Sequence, residues 1–579
     1  MAAVLRHRGP DGSGVHLDGE LGLANQRLAI VDPTPAGDQP MGLRERDLWL
    51  TYNGEIHNYV ELRRELEAAG AAFRTHTDTE VVLHAYAIWG AECFERFNGM
   101  WALALWDGRE RRLILSRDRF GIKPLCYSVR GPRVCFASEP KAILAAFPEE
   151  REPDGREIDR FLNGGFPDSG EATFFANVKL LPPATYAVVS PDRMRLRHSW
   201  SFEPGDESPK DHAEEEFRQL LREAVRLRMR SDVPVGACLS GGLDSSAIAA
   251  LVEIPAAQPM QCFSLRYDDW ADDESRFAAA AAAARDGRIA LSWVRPESGD
   301  LLETMRKIVW HHDAPTPVRG RLGQWFVMRE AGRHVKVVLD GQGGDELLAG
   351  YSRFVLPYAA DRLRSGARGL VPELADLARI ESRSRLWFLA LASVRATREA
   401  ARARAGPSRE QPYRSRLNNA LWHELRSEGL PEVLHAEDAL SMAFSVESRT
   451  PFLDHRLVEL CFSLPFADKI SGGWTKSLLR RALADAVPQE ILERRRKLGF
   501  GAPVGSWLRL EENWSAVREL LLDRRCLERG IFDRKRLERA LATFRRGPAL
   551  YVAHRTDRVW RWITLELWFR DFVDVALGA

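Results

Sequence analysis

Val233-Pro234-Val235-Gly236-Ala237-Cys238-Leu239-Ser240-Gly241-Gly242-Leu243-Asp244-Ser245-Ser246-Ala247-Ile248-Ala249-Ala250-Leu251-Val252 is the stretch that decides the fold. An apolar run, Val233 to Leu239, meets a tight loop of small residues and then an apolar segment from Ala247, so the order reads strand, loop, helix. Gly241 and Gly242 let the backbone come close to a ligand. The N–H groups at a helix start are unpaired and point at whatever sits there. Ser240, Ser245 and Ser246 add hydroxyl donors. Such a site suits the phosphates of a nucleotide. No lysine follows the second glycine, so this is not the Gly-x-x-x-x-Gly-Lys-Ser/Thr loop. Asp244 repels phosphate unless a cation lies between them, which implies Mg²⁺.

A second acidic loop, Asp340-Gly341-Gln342-Gly343-Gly344-Asp345-Glu346, follows the strand-like run Val335 to Leu339. In an open α/β sheet, ligands bind outside the carboxyl ends of the strands. The two loops are therefore expected to share one Mg²⁺-pyrophosphate, with Asp244 on one side and Asp345 on the other. Further along stand Ser441 to Asp454 (Ser-Met-Ala-Phe-Ser-Val-Glu-Ser-Arg-Thr-Pro-Phe-Leu-Asp), Thr475-Lys476-Ser477-Leu478-Leu479-Arg480 and Arg495-Arg496-Lys497-Leu498-Gly499-Phe500. Lys476 and Arg480 lie four apart and would share one helix face.

The rest of the 579-residue chain sets bounds. Apolar content of 45% with 28% charged residues is a globular profile with room for more than one core. Lys+Arg 83 against Asp+Glu 82 leaves a formal charge of +1, so no general attraction to nucleic acid or anionic membrane is expected. The seven cysteines are scattered and form no Cys-x-x-Cys pair, which argues against zinc or redox motifs and fits a reducing, cytoplasmic setting. No run reaches the ~18 apolar residues of a membrane helix.

Residues 1–190 alternate short strands (Leu48 to Tyr52, Met100 to Trp106) with amphipathic helices (Tyr59 to Ala69, Thr79 to Trp89), an α+β pattern. Pro204 to Pro209 reads as a linker. Residues 210–515 alternate strands with longer helices, the pattern of an open parallel α/β sheet, and 516–579 read as a helical extension anchored by Trp560, Trp562, Leu565 and Trp568. The Arg/Ala-rich segment from about Ala359 to Ser408 has helical propensity.

The phosphate loop resembles that of ATP pyrophosphatases, and the ordered set of motifs resembles the glutamine-dependent asparagine synthetases. The first part is similar to their N-terminal-nucleophile glutaminase domain through Arg6 to Gly12, Arg27 to Asp32, Asn53-Gly54-Glu55-Ile56-His57-Asn58, Thr77-Asp78-Thr79-Glu80 and Arg117 to Leu125. The resemblance implies that Arg27 holds a glutamine carboxylate, that Glu55 and Asp78 hold its ammonium, and that the Asn53 amide and Gly54 N–H form an oxyanion hole. It implies ATP with its adenine against Leu239, Leu265 and Gly341, its pyrophosphate on Ser240 to Ser246, and Asp340 and Lys476 beside it. Mg²⁺ falls to Asp244 and Asp345, and Lys497 neutralises the adenylate. Aspartate attacks the α-phosphate to give β-aspartyl-AMP, and ammonia then gives asparagine and AMP. The implied partners are small molecules, with no nucleic acid and no membrane; a homodimer is compatible with them.

Two departures stand out. The family's glutaminase opens with a cysteine after the initiator methionine, whereas here Ala2 follows Met1 and the first cysteine is Cys93. Either glutaminase activity is lost and ammonia is the only nitrogen source, or the sequence starts at an internal methionine, which is the reading favoured here. Gln342 stands where many relatives have glutamate, and glutamine accepts no proton at neutral pH. Asp313-Ala314-Pro315 lacks an acid before the proline, leaving Thr316 and Arg319 as carboxylate contacts. Other acceptor carboxylates, a β-lactam-synthetase-like cyclase, a tRNA-modifying enzyme and a non-catalytic scaffold remain the alternatives.

Overall fold

The computed structural model of the chain describes residues 1–165, 170–191, 193–201, 205–255, 257–318, 320–366, 369–378, 410–496 and 499–575. Most of the Arg/Ala-rich segment, Arg319, Lys497 and the first residue of the linker lie outside the described residues.

The first part holds strands β1 (Gly12–Asp18), β2 (Leu21–Arg27), β3 (Met41–Leu43), β4 (Leu48–Ile56), β5 (Gly99–Asp107), β6 (Arg112–Arg117), β7 (Cys126–Arg130), β8 (Arg133–Ala137), β9 (Lys179–Leu180), β10 (Thr185–Ser190) and β11 (Arg193–His198). Six of them form an antiparallel sheet in the order β11-β10-β6-β5-β4-β3. Its side chains explain the layering. On β5, Trp101, Leu103 and Leu105 join the core shared with helices Tyr59–Ala68 and Asp78–Trp89. Ala102 and Ala104 point the other way, into a core shared with Leu23 of β2, Leu125 and Tyr127. Successive residues of a strand face opposite sides, so bulky residues meet helices and small ones meet strands. The result is a helix–sheet–sheet sandwich, as the α+β reading expects. Asn-Gly is a common hairpin turn, but Asn53-Gly54 lies inside β4, paired with Ala102 and Trp101.

Asp118 explains the Arg117–Leu125 motif. Its buried carboxylate accepts from the backbone N–H groups of Phe120, Ile122 and Lys123 at 2.9–3.0 Å. The Arg117 guanidinium donates to the Lys123, Leu181 and Gly121 carbonyls. The two side chains replace a regular ladder where the chain leaves the sheet.

The second part is built on five parallel strands, β12 (Val235–Cys238), β13 (Met260–Leu265), β14 (Ile289–Val294), β15 (Val337–Leu339) and β16 (Glu447–Arg449), in the order β14-β13-β12-β15-β16. The order reverses between β12 and β15, which makes that edge the topological switch point. Helices cover the sheet. The helix after β12 begins at Leu243 and includes Asp244, Ser245 and Ser246 in its first turn, earlier than the apolar run from Ala247 indicated. Three of the four C-terminal anchors, Trp560, Leu565 and Trp568, are fully buried, and Trp562 packs at the margin of the same core. Their helix, Ala549–Trp568, also clamps the loop after His312: Trp568 Nε1 donates to the Asp313 carbonyl and Trp560 Nε1 to Thr316 Oγ1. Thr316 is thus held in packing, which argues against its role as a substrate contact.

Buried ion pairs join the parts. Arg449, fully buried on β16, pairs with Glu447 at 2.8 Å and with Glu55 of β4 at 3.2 Å. It also donates to the Arg228 and Arg230 carbonyls. Removing one member of a buried pair leaves the others uncompensated, at a cost of about 3–5 kcal/mol. Arg449→Met is therefore expected to lower unfolding stability by that order in a denaturant titration. A change below ~1 kcal/mol would contradict the role given to this pair.

Candidate functional site

The loops after β12 and β15 meet at the switch point. Gly241 has φ +71°, and a Cβ there would stand 2.5 Å from the Ala278 nitrogen and 2.7 Å from Phe277. Only glycine fits. Gly341 packs against the phosphate loop: a Cβ would meet Asp244 Cβ at 2.9 Å and the Ser245 nitrogen at 3.2 Å. Within the loop, Ser240 Oγ accepts from Gly242 N–H at 3.3 Å and lies 3.2 Å from Ser245 Oγ. Ser246 Oγ is buried with no hydrogen-bond partner among the described residues. Leu239 and Leu265 are buried at the carboxyl ends of β12 and β13.

Lys476 occupies the centre. Its ammonium contacts Asp244 Oδ1 at 2.6 Å and Asp345 Oδ1 at 2.7 Å. The two acids named as metal ligands are thus brought around one cation. Lys476 is not on a helix, as its spacing from Arg480 suggested: it precedes the helix Ser477–Ala482 with φ +54°. Both nevertheless line the same cleft, with Ser240, Gly242, Asp244, Asp345, Arg494, Arg495 and Arg496. Burial pulls Arg480 and Arg494 down to about 10, still cationic at neutral pH. With the lysine bridge closed, the cleft is about 40 Å³.

Mg²⁺ is normally held by one or two carboxylates plus substrate phosphates. The donor set fits it: two buried carboxylates that already share a cation, beside a loop with an unpartnered serine hydroxyl. Among the described residues no group of three or more His, Cys, Asp or Glu forms a metal cluster.

On the far side of this loop, Asp340 Oδ1 accepts from Gln342 N–H at 3.2 Å, and Gln342 Nε2 donates to Glu437 at 3.3 Å. The helix carrying Glu437, Leu430–Met442, buries Glu432, Glu437 and Asp438 among apolar residues. Sequence reasoning passed over these acids. Three carboxylates in a helix otherwise rich in Leu, Ala and Val were the signal that could have found them, because buried acids demand partners.

A second cavity, about 310 Å³, lies in the first part. Arg27, Asn53, Gly54, Glu55 and Asp78 all line it, together with Met1, Arg8, Cys135 and Glu447. Arg27 donates to the Thr34 and Asp32 carbonyls and to Asp38, so the 32–38 loop fixes its guanidinium. Asp78 accepts from Tyr52 OH at 2.8 Å and from Ile56 N–H at 2.9 Å. Burial pushes its carboxyl up to about 6, and burial beside Asp78 also pushes Glu55 well up. Cys135 is the one cysteine lining the cavity among the described residues, and burial raises its thiol, which leaves it a poor nucleophile.

The loop geometry yields a contrast between adjacent glycines. Gly241→Ala must adopt a left-handed backbone, worth about 1–2 kcal/mol, and must also displace the 277–278 backbone. Gly242→Ala meets only Ser240 Oγ, at 3.2 Å. Thermal unfolding without ligand is expected to show a clearly lower midpoint for Gly241→Ala than for Gly242→Ala; equal midpoints would contradict the packing described.

Residues 216–570 match the family model Asparagine synthase, and residues 1–200 match Glutamine amidotransferase domain. Two Bacillus subtilis proteins are similar along most of their length. Asparagine synthetase [glutamine-hydrolyzing] 1 is 31% identical over 89% of this chain and 85% of its own. Asparagine synthetase [glutamine-hydrolyzing] 3 is 30% identical over 91% of this chain and 89% of its own. Among solved structures, the glutamine phosphoribosylpyrophosphate amidotransferase of B. subtilis covers 52% of this chain and 63% of that one, at 16% identity and TM-score 0.26, too distant to bear on the site. The chain belongs to the asparagine synthase family, as a ligase that forms C–N bonds by ATP-dependent amidation and carries a glutamine amidotransferase domain ahead of its synthase domain.

Proposed function

We propose that this ligase adenylates the β-carboxylate of aspartate and resolves the adenylate with ammonia, giving asparagine, AMP and pyrophosphate. The observation that carries the reading is the pair Asp244 and Asp345 held around one ammonium at the switch point, walled by Arg480, Arg494, Arg495 and Arg496. Such a site neutralises a triphosphate on all sides, and phosphoryl-type transfer needs mainly positioning and charge neutralisation. When bound, Mg²⁺ would be held by Asp244 and Asp345 and would balance pyrophosphate charge. Lys476 then leaves the carboxylates and turns to the phosphates, opening the cleft. The loop N–H groups and Ser246 hydroxyl hold the leaving pyrophosphate, with Leu239, Leu265 and Gly341 against the adenine. Lys497 keeps the role of neutralising the adenylate that the resemblance assigns to it.

In this reading the first cavity is the glutamine site, with Arg27 on the carboxylate side, Glu55 and Asp78 on the ammonium side, and Asn53 with Gly54 as the oxyanion donors. Ammonia is the nitrogen source in this reading; Cys135, which lines that cavity, has its thiol raised by burial and is a poor nucleophile. Domain limits of 1–190, 210–515 and 516–579, a cytoplasmic setting and a homodimer belong to the same reading. Among the described residues, no helix is long and apolar enough to cross a membrane.

Aspartate-dependent exchange of labelled pyrophosphate into ATP tests the first half-reaction. AMP and pyrophosphate are expected, and Asp244→Asn is expected to abolish exchange by unbalancing the metal charge. Formation of ADP and phosphate would overturn the reading. Glutamate release from glutamine by this protein would overturn the ammonia-only assignment.

The cavity acids predict a pH dependence. An ammonium is bound by carboxylates only when these are ionised, and Asp78 sits at about 6. Glutamine affinity, measured by titration calorimetry, is therefore expected to weaken as pH falls from 8 through about 6. Affinity that is flat over this range would remove Asp78 from the ammonium site.

A further inference from the structure

The amide-forming step needs a base, and the residue on the catalytic loop is not one. Attack of ammonia on an acyl-adenylate forms a C–N bond and breaks the C–O bond to phosphate; AMP leaves with that electron pair, and one N–H proton must go elsewhere. Gln342 binds no proton at neutral pH. Its side chain nevertheless holds a group that does. Glu437 is 3% exposed, and its Oε2 accepts from the Gln342 amide at 3.3 Å and from the Gln324 amide. Its Oε1 is buried and makes no hydrogen bond, with the Ser448 hydroxyl close to the carboxyl. Gln342 directly follows Gly341, which packs on Asp244 and Ser245, so Glu437 stands one side chain from the phosphate loop.

We infer that Glu437 is the proton acceptor of the amide-forming step, its Oε1 receiving the proton released as ammonia displaces AMP, with Gln342 and Gln324 orienting it through Oε2. This role rests on the adenylation reading above. The surroundings suit it. Burial pushes the Glu437 carboxyl above the usual range, while the Gln342 and Gln324 donors, the nearby Ser448 hydroxyl and the Arg321 charge pull it back. A carboxylate so placed is a stronger base than an exposed one. Arg321 is itself paired with Glu432, and Cys238, at the end of β12, also lies in the field of Glu437, as it does in that of Asp340. Asp438, next on the helix, is taken by Arg8 and Lys123 across the domain interface, at 2.7 and 3.3 Å.

The test separates the two half-reactions in the full-length protein. Pyrophosphate exchange with aspartate reads adenylation, and asparagine formed from ammonium chloride reads the whole reaction. Glu437→Gln preserves shape and hydrogen bonding but takes no proton. It is expected to keep exchange within about threefold and to lose ~10²-fold in asparagine formation, the scale of general-base catalysis. The acid limb of the parent's pH profile for amide formation should vanish with it. Glu437→Asp, which keeps the charge but withdraws it from Gln342, should keep exchange and lose at least about tenfold in the amide step. Equal losses in exchange and amide formation in both variants would mark Glu437 as structural, and full amide formation in Glu437→Gln would remove it from the step. Absence of aspartate-dependent exchange in the parent protein would instead sink the adenylation reading, and this role with it.

Discussion

Arg449 between Glu447 and Glu55 is the contact on which the two halves depend. A guanidinium with no solvent exposure is costly to bury, and the cost is met only when both carboxylates and the Arg228 and Arg230 carbonyls are in place. Glu55 comes from the antiparallel sheet, and Glu447 and Arg449 from the edge of the parallel one. The same logic extends along the interface. Lys123 reaches Asp438 at 3.3 Å, Arg8 reaches Asp438 and Glu139, and Lys141 reaches Asp313 at 3.0 Å. Arg8, Lys123 and Lys141 each find a carboxylate in the opposite half, so a shifted docking leaves buried ions unpaired.

That constraint sets the distance between the sites. Strand β16 carries Glu447 on the wall of the first cavity and Ser448 beside Glu437 of the synthase site. Three consecutive residues, Glu447 to Arg449, thus reach both the first cavity and the Glu437 carboxyl. Placing the strand at the sheet edge makes this economical, because an edge strand has one side free to meet another domain.

The synthase site follows from topology. Parallel strands deliver all their following loops to one end, and the reversal of order between β12 and β15 leaves a crevice between two of them. Both loops carry an acid. Two buried carboxylates stay ionised face to face only with a cation between them, and Lys476 supplies it at 2.5–2.7 Å. The site without ligand is therefore an ion triad of Asp244, Asp345 and Lys476.

Much of this was legible in the order of residues alone. Strand–small loop–helix at Val235 to Leu251 follows from β-branched and glycine propensities, and the paired acidic loops follow from the rule that loops after parallel strands converge. Leu48 to Tyr52 and Met100 to Trp106, read as strands, lie within β4 and β5, because short β-prone runs between turn residues need no distant partner to be recognised. What the sequence could not decide was partnership over long separations. Lys476 sits 232 residues from Asp244, and its left-handed backbone hides it from helical spacing arguments. Gln342 read alone is a residue that cannot take a proton; only folding sets Glu437, 95 residues away, against its amide. Local composition therefore determined which elements form and which chemistry the loops carry. Tertiary packing decided which charges meet, because a buried ion chooses its partner by proximity in space and desolvation, neither of which is written in any window of the chain.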